Sequence, residues 1–190
     1  MKMKIFIMCI IAIIIIAAYN VFLKIMCPDV SNDISISIDD LKIENIMDMS
    51  PSYDSIFSEY NFPEDLKKDV ENNPDNYVVA SIDYSVTNHS EETELKDVRF
   101  YPDISPMLKA FNSGNGTYYL FASRSESTGM VQYMILNTTG KTNEEIYNML
   151  LEEEIKMVYF TGGFMTNTGQ GYSGIGKHTY TFKIKDVINH

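Results

Sequence analysis

Gly169, Gly171 and Gly174 spell G-x-G-x-x-G, and residues 162–176 hold six of the chain's ten glycines. That spacing can cradle a phosphate when a strand precedes the glycines and a helix follows them. Here HTYTFKI follows, which alternates with period two as a strand does. The run therefore reads as a mobile hairpin loop. Gly162, Gly163, Phe164, Gly169, Gly171, Tyr172, Gly174 and Gly176 make up a candidate interaction loop, in which glycine allows turns at little steric cost. Other chemistry is sparse. His89, His178 and His190 have no partner at zinc-ligand spacing and read as surface histidines. Asp39–Asp40 and Glu152–Glu153–Glu154 are acidic clusters, but no D-x-[DN]-x-[DN]-G calcium loop is present. Cys9 and Cys27 cannot bridge within one exported domain, because the first lies inside an apolar run and the second borders it. The sequence thus assigns no catalytic residue, no cofactor and no metal ligand.

The elements that would position such groups begin with a membrane segment. Residues 5–18 are 14 unbroken apolar residues behind MKMK, and no charge occurs from Ile5 to Leu23, a span of 19 residues. As a helix that span rises about 28 Å, against a hydrocarbon core of about 30 Å. Lys2 and Lys4 hold the amino end in the cytoplasm and send the remainder outside. Ala18 and Ile16 make a poor signal-peptidase site, since a small residue is wanted where Ile16 stands. Lys24 and Met26 before Cys27 likewise oppose a lipoprotein cut. The expectation is a single-pass cell-membrane protein with an extracytoplasmic C-terminal domain, or a secreted one if the segment is cleaved.

The chain carries 15 Lys+Arg against 26 Asp+Glu, and residues 25–190 carry 12 against 26, a net charge of -14. That field opposes binding to nucleic acid, whose affinity comes from cationic side chains. It also repels anionic lipid headgroups. The expected organisation is a cytoplasmic stub (1–4), a transmembrane helix or signal anchor (5–23), an acidic linker with a short strand and helices (24–76) and a β domain (77–190), with 31–76 free to pack on it. YVVASIDYSVT at 77–87 alternates as a half-buried strand with Ile82 and Tyr84 inward and Asp83 outward. Residues 95–101 should return beside it, 117–122 should pair with 130–137, and 155–161 with 178–184. Thr142 and Glu145 form a capping box for a short helix, and PEDLKKDVEN opens another. About seven strands without a βαβ rhythm point to a sandwich. Tyr84, Phe100, Phe121, Tyr133, Phe160 and Phe182 are the expected aromatic core.

The run VVASIDYSVTNHSEETELKDVRFYP resembles the second and third strands of immunoglobulin-like extracellular domains of Gram-positive bacterial surface proteins and lipoproteins. The resemblance implies a mainly β fold, an immunoglobulin-like antiparallel β-sandwich with short peripheral helices. Domains of that family mostly lack an assigned activity, so it transfers a fold and a location and no site residue. The expected function is a membrane-anchored interaction or structural domain whose partner is another membrane or cell-surface protein. The alternative is an exported hydrolase with a carboxylate site, and the absence of a visible constellation favours the non-enzymatic reading.

Overall fold

The computed structural model describes residues 2–48, 63–108, 111–112, 119–122, 124–138, 140–165 and 172–189. Helix α1 runs from Lys2 to Met26. Its β-branched isoleucines are mediocre helix formers in water, but in lipid a helix is the way to satisfy every backbone group internally. From Ile5 to Met26 every side chain is exposed except the half-buried Leu23. The helix stops where the Cys27 N–H donates to the Leu23 carbonyl and Pro28, which has no N–H to give, follows.

Strands β1 (Ile34–Asn45), β2 (Tyr77–Asn88), β3 (Leu95–Asp103), β4 (Phe111–Asn112), β5 (Tyr119–Phe121), β6 (Ser125–Asn137), β7 (Glu154–Met165) and β8 (Tyr172–Lys183) form two open antiparallel sheets. Their orders are β1-β2-β6-β4 and β5-β3-β7-β8. One core lies between them, with Ile82, Tyr84 and Val86 from the first sheet meeting Val98, Phe100, Met157 and Tyr159 from the second. The rings of Tyr84 and Phe100 stack at 4.3 Å and 5°. The buried Tyr84 hydroxyl donates to Gln132 at 3.0 Å, so the ring enters the core without an orphaned donor.

Helices complete the burial. α2 (Glu64–Asn72) lays Leu66 and Val70 on the outer face of the first sheet, against Ile46, Tyr77, Val79 and Ile135. Hence β2 begins with four consecutive buried residues, Tyr77 to Ala80, before alternation resumes. α3 (Asn143–Leu151) starts at the Thr142–Glu145 capping box and buries Ile146 and Leu150 in the shared core. A final turn, α4 (Ile184–Val187), buries Ile184.

The architecture corrects the expected fold. This is a mixed α/β structure with two open sheets, not an immunoglobulin-like β-sandwich, and the resemblance drawn from residues 78–102 does not hold. Helices α1 to α4 contribute a large share of the described residues, and the two sheets end in the edge strands β1, β4, β5 and β8 without closing on each other. Two expected hairpins also fail. β3 does not lie beside β2 but faces it across the core, and β5 pairs with β3 while β6 pairs with β2.

Asn88 holds the crossover from β2. Fully buried, it donates its amide hydrogens to the carbonyls of Thr93 and Ala122 and accepts the Ser90 N–H. A side chain so engaged joins three segments where a tight hairpin turn would join two.

The β7–β8 hairpin forms as expected, though its strands are longer than the pattern indicated. Parity in β7 is offset from the expectation: Tyr159 is fully buried and Phe160 is only half-buried, its ring lying over Gly174. Tyr84, Phe100 and Phe182 are core residues, and Tyr133 packs beneath α2. The side chain of Phe121 is outside the described residues. Ile82 is fully buried and Asp83 points to the opposite face.

In urea unfolding of the detergent-solubilised chain, Ile82→Ala should cost about 2–5 kcal/mol, the range for a core cavity. Asn88→Ala should cost about 1–3 kcal/mol, because two carbonyls and one N–H lose their partner. Asp83→Ala should cost less than either.

Candidate functional site

The joint between α1 and the domain concentrates polar groups. Cys27 is 8% exposed and sits against β7 and β8 at Gly162 and Gly176. A Cβ at Gly162 would overlap the Cys27 sulfur, and one at Gly176 would overlap the Cys27 Cβ. Gly176 also has φ +71°, a conformation that L side chains resist. Close approach therefore demands glycine at both positions, and the helix enters the domain with no intervening linker.

Asp29 follows two residues later. Its Oδ1 accepts the Tyr159 hydroxyl at 2.9 Å and the Ser31 N–H at 3.0 Å, and lies 3.8 Å from His178 Nδ1. His178 Nε2 meets Thr161 Oγ1 at 3.0 Å, and its ring stacks on Tyr159 at 5.3 Å. Desolvation pushes the Asp29 carboxyl up, but the hydrogen bonds from Ser31 and Tyr159 and the nearby His178 outweigh it and leave its pKa lowered. Burial, then the bond to Asp29, raises the Tyr159 hydroxyl. A shallow recess of about 390 Å³ opens beside this network, lined by Asn20, Leu23, Lys24, Cys27, Gly176 and His178.

The sequence Thr161–His178–Asp29 has the order of a nucleophile, a base and an orienting acid. Its geometry suits a structural clamp better. The His178–Asp29 separation exceeds hydrogen-bond range, and Thr161 is 7% exposed, with its Oγ1 turned toward Gly176.

A second cluster lies on the outer face of the first sheet. Asp40, Lys42, Glu44, Ser81, Asp83, Val131 and Tyr133 line a hollow of about 160 Å³. Lys42 pairs with Asp40 at 2.9 Å. Asp39, at a bulge in β1, accepts from Ser85, from Ser37 at 3.1 Å and from Asn189 at 3.0 Å. Asp83 Oδ1 is buried without a hydrogen-bond partner. Desolvation, then the charges of Asp39 and Asp40, raise the Asp83 pKa. Among the described residues no group of three or more His, Cys, Asp or Glu is arranged to hold a metal ion.

The candidate loop residues separate into three sets. Gly162, Gly163 and Phe164 belong to β7, and Tyr172, Gly174 and Gly176 belong to β8. Gly163 stands opposite Gly174 in the ladder, and Phe164 opposite Ser173. Gly169 and Gly171 lie outside the described residues. Two of the glycines thus serve the helix joint. The Asp29–Tyr159–His178 network gave no signal in the sequence, since Asp29 and Tyr159 are 130 residues apart. His178, expected at the surface, is only 15% exposed in its side chain.

No protein-family model and no curated protein matches the chain. One solved structure aligns with it, a protein of Bacillus subtilis subsp. subtilis str. 168 described as "a putative lipoprotein (ycdA)". It shows 9% identity and a TM-score of 0.35, over 85% of this chain and 39% of that one. The chain spans less than half the length of that protein, and a superposition so loose defines neither a shared fold nor a shared site.

Gly162→Ala should cost about 1–3 kcal/mol by overpacking, and Cys27→Ala should recover much of that loss by removing the sulfur it strikes. Gly176→Ala should not be rescued, because the Cβ it meets remains. Unfolding of the double variants measures the coupling. The two aspartates should respond to pH in opposite senses. Asp29, with its folded pKa lowered, contributes stability above the ordinary carboxyl range that is lost as pH falls. Asp83, with its folded pKa raised, favours the fold below that range and loses the contribution as pH rises. Asp83→Asn should therefore raise the urea midpoint slightly at about pH 7, and the gain should vanish near pH 3.

Proposed function

We propose that the protein is a membrane-anchored extracytoplasmic interaction or structural domain. The observation that carries this reading is the exposure of α1. A helix long and apolar enough to cross a membrane, or to act as a signal sequence, stands outside the core with none of its apolar span buried. A lipid environment, or removal of the segment, relieves that exposure in water. Retention is the better supported alternative, because the last turn of α1 is continuous with Cys27, and Cys27 is part of the domain's packing. A cut after Ala18 would leave residues 19–26 as an exposed apolar stub.

The partner is another membrane or cell-surface protein. The net charge of -14 over residues 25–190 favours a basic contact surface on it. The acidic hollow on the first sheet and the β7–β8 hairpin are the surfaces offered to it.

Alkaline carbonate treatment of membranes should leave the full-length chain in the pellet, and protease added to intact wall-stripped cells should digest the domain. Release of a soluble form beginning near Tyr19 would overturn the anchor, and protection of the domain would overturn the orientation.

A further inference from the structure

We infer that the recess at the foot of α1 seats the headgroup of a zwitterionic phospholipid, its phosphate on Lys24 and its ammonium toward Asp29. The inference rests on α1 being a retained membrane anchor. With residues 5–23 in hydrocarbon, Lys24 falls at the boundary where phosphates lie, and the headgroup layer extends about 5–8 Å beyond it. The recess is lined from Asn20 to Cys27, a rise of about 10 Å along the helix. The recess therefore straddles the boundary between hydrocarbon and headgroups.

Its lining is chemically mixed. Leu23 and Cys27 supply apolar surface to the lining, whereas Asn20, Lys24 and His178 offer polar groups. Lys24 is exposed, and the described ion pairs do not include it. Asp29, whose side chain is 61% exposed, adjoins His178 on the domain side and is held ionised by Ser31 and Tyr159. Lys24 in the lining and Asp29 beside the lining residue His178 thus offer a cation and an anion, matching the opposite charges of a phosphoethanolamine group. An anionic lipid would satisfy Lys24 alone and meet the repulsion of an acidic domain. The seat also explains how such a domain rests directly on a bilayer with no linker to hold it away.

The test uses the full-length chain in nanodiscs of equal phosphatidylethanolamine and phosphatidylglycerol, released gently for native mass spectrometry. One phosphatidylethanolamine should be retained, preferred about fivefold or more over phosphatidylglycerol, as expected for about one charge contact at the membrane surface. Lys24→Gln should lower that retention about fivefold, while Lys67→Gln, on α2, should leave it unchanged. An unaltered urea midpoint for Lys24→Gln shows that the fold is intact, and His178→Gln provides a second variant of the lining. Equal retention of both lipids, or preference for phosphatidylglycerol, would overturn the inference. Complete displacement by millimolar inorganic phosphate would overturn it too, by showing a site for free phosphate. If carbonate strips the chain from membranes, the anchor itself fails; if the chain stays but keeps no phosphatidylethanolamine, only the headgroup seat fails.

Discussion

The domain is organised around the wedge of Cys27 between Gly162 and Gly176. A sulfur-bearing side chain reaches the backbone of two neighbouring strands because neither strand carries a Cβ there. That approach brings Asp29 within reach of Tyr159 and His178, two residues from different strands of the second sheet. Without the wedge, α1 would be tethered by an ordinary connecting segment and its direction would be independent of the sheets. With it, the helix and the second sheet share a rigid corner, and the recess beside them has a defined shape.

Charge is distributed in keeping with that corner. Desolvation alone would raise the Asp29 pKa, yet three neighbours favour its ionised form. On the first sheet the balance is reversed: Asp83 has acidic neighbours and an unpartnered oxygen, so its charge strains the fold. The first arrangement stabilises a joint. The second costs the fold some stability at neutral pH.

What could be read in the sequence followed from local rules. The alternation around Ile82 placed its face correctly, and Thr142 and Glu145 announced a helix start because a capping box needs only four residues. The apolar run of α1 was equally plain. Sheet membership was not, because it depends on contacts that no local pattern encodes. Asn88, the last residue of β2, carries no local signature of a crossover, but its bonds to Thr93 and Ala122 send the chain across the core. Tyr159 and Phe160 are adjacent aromatics; Tyr159 shares the inward face of Ile155 and Met157, and Phe160 lies over Gly174 on the other side. The joint was hidden for the same reason: Gly162 and Gly176 read as loop formers when their purpose is to make room for a side chain from the other end of the chain.

The edge of β1 carries a consequence for how the domain is made. Ile38 forms a parallel bridge with Ile188, its carbonyl accepts the Asn189 N–H, and the Asn189 amide reaches Asp39 across 150 positions. Until residues 188–189 emerge, the outer edge of the earliest strand at Ile38 lacks this cover and remains a template for strand addition. Contacts of such long sequence separation form late, after the entropy of closing the intervening chain has been overcome. A chain made from its amino terminus therefore presents its first strand well before the segment that seals it.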